Sequence, residues 1–192
     1  MSDKFSLCNH FLIAMPSLND PNFEQSVSYI CEHNSEGAMG IIINRITEIT
    51  FADLCEQLDI EITDTDTTDY PIYHGGPVET ERGFILHSPV GEWDSTLKVT
   101  DDIGLTVSQD ILQAIAEGYD SDNKPPEHFL ITLGYAGWSE DQIEDEIAEN
   151  VWLNTPANSE ILFKTPIEHR WAAAAALLGI NLQQLSTDIG HG

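Results

Sequence analysis

An α+β fold is the class this sequence predicts, and three observations predict it. Short apolar runs bounded by turn residues read as strands, and segments with apolar residues three and four apart read as helices. The two kinds are interspersed without the strict alternation of a doubly wound sheet. The length, 192 residues, suits one domain spanning 1–192, and no repeat or composition shift marks a second.

The elements follow in order. Residues 10–15 form a strand stopped by Pro16. Asn19-Asp20-Pro21 offers an N-cap and a proline at the first helical position, so a short helix or turn follows. Residues 27–33 alternate, with Val27, Tyr29 and Cys31 on one face, and residues 38–44 are a strand apolar enough for burial on both faces. Asn34-Ser35-Glu36-Gly37 joins the two as a hairpin. Thr50 with Asp53 opens a helix to about Leu58, with Phe51, Leu54, Cys55 and Leu58 on its inner side. Residues 59–69, rich in Asp and Thr, read as an exposed connection that lacks the glycine and terminal glutamate of a calcium loop.

Short strands at 70–73 and 83–87 flank His74-Gly75-Gly76-Pro77, and another lies at 96–99. Ser108 caps a helix whose inner face is Ile111, Leu112, Ile115 and Ala116 and which Gly118 ends. A polar loop covers 120–126. An apolar strand from Phe129 then runs into Gly134-Tyr135-Ala136-Gly137-Trp138, read as a glycine-punctuated turn, and Ser139 opens a helix with Gln142 as its capping-box partner. Such a turn lets the backbone come close to a ligand, and the helix N–H groups favour anions. Strands at 151–153 and 160–163 follow. Thr165-Pro166-Ile167-Glu168 starts an alanine-rich helix that runs to Leu178 and stops at Gly179.

Charge narrows the function classes. Seven Lys and Arg stand against 33 Asp and Glu, a formal net charge of −26. Such a surface repels phosphate backbones and anionic bilayers, so neither direct DNA binding nor membrane association is expected. Cys8, Cys31 and Cys55 are odd in number, widely spaced and without a C-x-x-C, which signals neither zinc nor a redox pair. No secretory segment is evident and no apolar run is long enough for a bilayer, so the expected compartment is the cytoplasm.

Many short segments, in order, carry a resemblance to a known family. They are Asn9-His10-Phe11-Leu12-Ile13-Ala14-Met15-Pro16, Cys31-Glu32-His33-Asn34, Gly37-Ala38-Met39-Gly40, Asn44-Arg45 and Gly75-Gly76-Pro77-Val78. Further on come Arg82-Gly83-Phe84, Trp93, Ser95-Thr96-Leu97, Gly134-Tyr135-Ala136-Gly137-Trp138 and Gly190-His191. Almost end to end, the chain resembles the AlgH/YqgE family of small bacterial proteins. It departs from the family pattern at Ser17, usually glycine after Met-Pro, and at Ile46, usually proline after Asn-Arg. The resemblance implies a bifurcated mixed β-sheet with a small barrel-like part, surrounded by helices. It implies a cytosolic protein of a kind often labelled a transcriptional regulator, with no enzymatic activity, cofactor or ligand established for the family.

Each chemical motif has a plain structural alternative. His74-Gly75-Gly76 is similar to an esterase oxyanion segment, yet the G-x-S-x-G nucleophile elbow is missing and Ser139 reads as a helix cap. Arg45 and Arg82 have the right chemistry for an anion pocket, against a reading as structural salt bridges. His10, His33, His74 and His87 have no metal-ligand spacing. Tyr135, Trp138, Trp152 and Trp171 could line a cleft, against core packing. No catalytic residue, metal or cofactor is assigned. The candidate ligand-binding set is Arg45, His74, Gly75, Gly76, Arg82, Gly134, Tyr135, Gly137 and Trp138. The expected function is binding of a protein or small-molecule partner, in regulation, rather than catalysis. The alternative is a small-ligand or anion binder, or a hydrolase, using the Gly75-Gly76 and Gly134–Gly137 turns with Arg45 and Arg82.

Overall fold

Two compact units share the chain, and their sequences interleave. The first takes residues up to Arg45, Gly75–Val78 and everything from Tyr135 on; the second takes Ile46–His74 and Glu79–Gly134. The computed structural model describes the backbone of residues 5–189 and the side chains of residues 5–185.

The first unit is an antiparallel sheet with helices. Its strands β1 (His10–Ala14), β2 (Val27–Asn34) and β3 (Gly37–Ile42) appear early in the chain. The last residues of β9 (His128–Ser139) and the whole of β10 (Trp152–Pro156) complete it in the order β10-β1-β2-β3-β9. Leu12 faces Asn154 on one neighbour and Ser28 on the other. Both faces of β2 are covered as far as Cys31, which is why its alternation stops distinguishing inside from outside. Leu12, Ala14, Ile30, Ala136, Trp138, Ile143 and Trp152 form one core of this unit. Each of its leucine and isoleucine side chains contributes about 1.5–3 kcal/mol of burial. The helices are α3 (Gln142–Ala148), α4 (Ser159–Phe163), α5 (Arg170–Ala176) and α6 (Leu182–Ile189).

The second unit has its own core. β4 (Ile46–Thr50), β5 (Pro71–His74), the first half of β9, β6 (Val78–Ser88), β8 (Gly104–Thr106) and β7 (Thr96–Lys98) lie in that order. β5 runs parallel to β9, with Ile72 opposite Ile131, so the sheet is mixed. α1 (Phe51–Leu58) starts on the expected capping box: Thr50 Oγ1 accepts Asp53 N–H and the Asp53 carboxylate accepts Thr50 N–H. Phe51, Leu54, Cys55, Ile72, Ile85 and Ile131 close on Ile111, Leu112 and Ile115 of α2 (Asp110–Glu117).

Several expectations are corrected. The Gly134 to Trp138 stretch is not a turn before a helix but the second half of β9. It pairs with β5 through residues 131–133 and with β3 through residues 136–139, so the sheet forks there. Gly134, at φ +78°, lies between the two pairings, and such a glycine marks a strand irregularity rather than its end. α3 starts after Asp141, not at Ser139, although Ser139 N–H does donate to the Gln142 side chain. Residues 160–163 are helical, because Asn158 caps Ile161 N–H and the three-residue apolar run Ile161-Leu162-Phe163 alone cannot choose between helix and strand. The helix expected from Thr165 begins as a 3-10 turn, Ile167–His169, before α5. Gln109, not Ser108, is the N-cap of α2. Of the helix or turn expected after Asn19-Asp20-Pro21 it is a turn that follows, over residues 21–25, and residues 59–69 contain a 3-10 turn, Thr65–Thr67. β4, β8 and α6 were not expected.

Candidate functional site

A concavity lies in the first unit, and the composition of α5 creates it. Ala174 and Ala175 pack inward, while Ala172 and Ala176, one turn apart, face out and are too small to fill the space above them. Trp171 donates its indole N–H to the Ala14 carbonyl at 2.9 Å, which anchors the helix to β1. After Leu177 and Leu178, Gly179 takes φ +71° and the chain turns back. Asn181 Oδ1 then accepts Gln183 N–H at 3.0 Å, an Asn cap that starts α6. Trp171, Ala172, Ala176, Ile180, Asn181, Leu182 and Gln183, with Pro16 and Gln25 on the other side, enclose a cleft of about 690 Å³. Leu177 and Leu178, between these lining residues, are 43% and 41% exposed.

The wall carrying Gln25 is held by two residues of a sequence motif. Asn44 Oδ1 accepts Val27 N–H and its amide donates to the Gln25 carbonyl. Arg45 donates to the Pro21 carbonyl at 2.8 Å and to the carbonyls of Asn22 and Glu24. Guanidinium is planar, permanently charged and carries five N–H donors, so it suits a site with three converging oxygens. Arg45 therefore acts on the cleft through the backbone of residues 21–25.

Chemically, the lining offers apolar surface and amide groups. Its polar side chains are the amides of Gln25, Asn181 and Gln183, and none of the lining residues is ionisable. Pockets of this size, mostly apolar with a few polar groups, are typical of ligand sites.

The other residues singled out in the sequence fall elsewhere. In the first unit, the Gly75 carbonyl accepts Ile42 N–H at 2.8 Å, and Gly76 lies against the backbone of Tyr135. Gly137 stands opposite Met39 and Trp138 opposite Ala38. Trp138 and Trp152 both donate to Glu146 Oε2, at 3.0 and 2.8 Å, and Phe23 packs on both rings. In the second unit, His74 is opposite Leu133, next to Gly134. Arg82 pairs with Glu79 at 3.4 Å in solvent and lies 5.5 Å from the centre of the Phe84 ring. The candidate set is thus divided between the units.

The histidines and cysteines have local structural partners. His33 Nδ1 accepts Leu7 N–H, so its Nε2 carries the proton and donates to Glu144 at 2.7 Å. His87 donates to the Pro89 carbonyl and accepts from Thr106. Among the described residues no group of His, Cys, Asp and Glu is arranged to hold a metal ion. Burial raises the thiol pKa of Cys31 and pushes that of Cys55 up to about 11, which keeps both protonated and poorly nucleophilic.

Sequence reasoning reached Trp171 as a cleft residue and missed its neighbours. The available signal was the glycine stop at Gly179 followed within two residues by an Asn cap, which predicts a helix corner.

Comparison with known proteins places the fold. The AlgH-like family model matches residues 11–183. The chain belongs to the AlgH-like family. Its relatives include a UPF0301 protein of Nitrosococcus oceani, 52% identical over 183 residues and 95% of both chains. Another, from Chromobacterium violaceum, is 52% identical over 98% of this chain and 99% of its own. The solution structure of the AlgH protein from Pseudomonas aeruginosa is 46% identical, with a TM-score of 0.79 over 97% of this chain and 96% of that one. A Corynebacterium diphtheriae protein of 16% identity, TM-score 0.72, shares the fold. Every residue lining the cleft falls within the AlgH-like match. Ser17, one of the two departures from the AlgH-like pattern, follows Pro16 of the cleft wall in a turn; the other, Ile46, is exposed at the start of β4. Among the described residues no helix of this AlgH-like chain is long and apolar enough to cross a membrane.

Proposed function

We propose that the protein works by binding, through the cleft between α5, the start of α6 and the Pro16 and Gln25 wall, and that catalysis is not its role. The supporting observation is the lining itself: apolar surface and three amides, with no acid, base, nucleophile or cation among the described residues. Such a surface accepts an apolar group of a partner and orients it by hydrogen bonds. A regulatory role then runs through this contact in the cytoplasm, not through DNA, because a net charge of −26 gives little counterion release on a duplex.

The test is titration with the uncharged fluorophore N-phenyl-1-naphthylamine, which brightens in apolar sites. Saturable binding that Ala176→Phe abolishes supports the reading. Binding unaffected by that substitution, or no binding, overturns it. Sub-micromolar, sequence-dependent binding of promoter duplexes by the pure protein would overturn the protein-contact route to regulation.

A further inference from the structure

We infer that the occupant of this cleft is an apolar polypeptide segment flanked by basic residues, a conclusion that rests on the cleft being the binding site. The lining excludes one broad class of ligand. Among the described residues no Lys, Arg or His borders the cleft, so the carboxylate or phosphate head of an anionic amphiphile would leave water without a counter-charge. Arg45, which holds the wall, donates to three carbonyls, and Arg170 is only 3% exposed.

The polar groups present favour a peptide. Gln25, Asn181 and Gln183 are amides, able both to donate and to accept, which is the pairing a main chain offers at each residue. The apolar surface also continues beyond the cleft. Leu177 and Leu178 stand exposed between Ala176 and Ile180, which gives a second contact for a chain with more than one apolar side chain.

Charge sets the flanks. Glu24, beside Gln25, and Glu168, four residues before Ala172, are exposed, and the whole protein carries a net charge of −26. Such a field steers a cationic segment inward and repels an acidic one.

Three N-acetylated, C-amidated dodecapeptides test this on the whole protein: leucine–lysine, leucine–glutamate and serine–lysine, the first two in an amphipathic pattern. Each is titrated against the N-phenyl-1-naphthylamine complex, with the indole N–H resonances followed by NMR. The leucine–lysine peptide should displace the fluorophore, shift the Trp171 resonance and weaken as NaCl is raised. Ala176→Phe fills the cleft at an exposed helical position, and it should weaken this peptide at least about tenfold. General attraction to an acidic surface would instead survive the substitution and would extend to the serine–lysine peptide; either result overturns the inference. Equal or tighter binding of the leucine–glutamate peptide also overturns it. If the fluorophore binds in the cleft and no peptide displaces it, the peptide inference fails while the binding function stands; if neither binds, both fail.

Discussion

Gly76 and Tyr135 touch through their backbones: a Cβ built on Gly76 would sit 2.1 Å from the Tyr135 carbonyl carbon. Gly76 also has φ +155°, at the edge of the region that L side chains avoid. Two independent constraints therefore require glycine, and neither backbone can move aside cheaply. Gly76→Ala is expected to cost on the order of 2–3 kcal/mol, the scale of overpacking in a filled interior. Gly137, in the stretch read from the sequence as a glycine-punctuated turn, has no positive φ and would bring a Cβ only to 3.5 Å from the Tyr135 ring. Gly137→Ala should shift a urea midpoint little, and a larger loss for Gly137→Ala than for Gly76→Ala would refute the comparison.

Glu146 joins α3 to two strands, because one of its oxygens accepts both the Trp138 and the Trp152 indole N–H. Its other oxygen accepts the Gln142 amide at 3.0 Å. Glu146→Gln keeps the shape but removes the charge from these bonds and puts an amide donor where an acceptor stood. A loss of about 1–3 kcal/mol is expected, the range for hydrogen bonds to charged groups. Pairing it with Trp152→Phe in a double-mutant cycle checks the cause; strictly additive losses would show that the contact carries no coupling energy.

His87 makes the fold sensitive to mild acid. It is fully buried between Pro89 and Thr106, and burial lowers its pKa, with the bond to the Pro89 carbonyl as a smaller opposing effect. Above about pH 6.5 the ring is neutral in both folded and unfolded chains, so it imposes no penalty. Below that, the unfolded chain takes up a proton that the folded one refuses, and stability falls by up to about 1.4 kcal/mol per pH unit until the buried ring titrates. Urea midpoints at pH 7.5 and 5.5 should differ less in His87→Gln than in the parent. Parallel losses in the two proteins would assign the effect to other groups.

Salt should stabilise the protein. The acids number 33 and the bases seven, and Arg45 directs its donors to carbonyls. Arg82–Glu79 and Lys98–Asp101 are exposed pairs, worth at most a few tenths of a kcal/mol each. Repulsion among the acids left over is screened as the Debye length falls from about 8 Å at ~0.15 M to about 3 Å at ~1 M. The melting temperature at neutral pH should rise across a NaCl series; a flat or falling trend counts against repulsion as a significant destabilising force.

The parts of the fold that could be read in the sequence are those fixed by local chemistry. The Thr50–Asp53 capping box, the Gly37 hairpin and the glycine stop of α2 at Gly118 each involve a handful of neighbouring residues, and each is present. What misled was glycine inside a strand. Gly134 takes φ +78° between the two pairings of β9 and Gly137 lies within its second half, so the stretch looked like a turn and is a strand. The three-residue β8 is too short for periodicity to register. The cleft escaped for a related reason. Ala172 and Ala176 resemble ordinary helix filler, and only the fold shows that their smallness leaves space against Pro16 and Gln25.

The interleaving of the two units has a consequence for biosynthesis. By the time Gly134 emerges from the ribosome, every residue of the second unit is available, although that unit begins only at Ile46. The first unit starts earlier and finishes later. β1, β2 and β3 are made first, but their outer partners are residues 136–139 of β9 and the whole of β10. A nascent three-strand ribbon thus waits with both flanks unsealed while roughly half the polypeptide is translated, and exposed strand edges invite association with other chains. Translation speed through the middle of the message, and the chaperones that meet the ribbon meanwhile, thereby become determinants of yield. A truncated product ending near Gly134 would hold the middle unit in full and leave the ribbon permanently open.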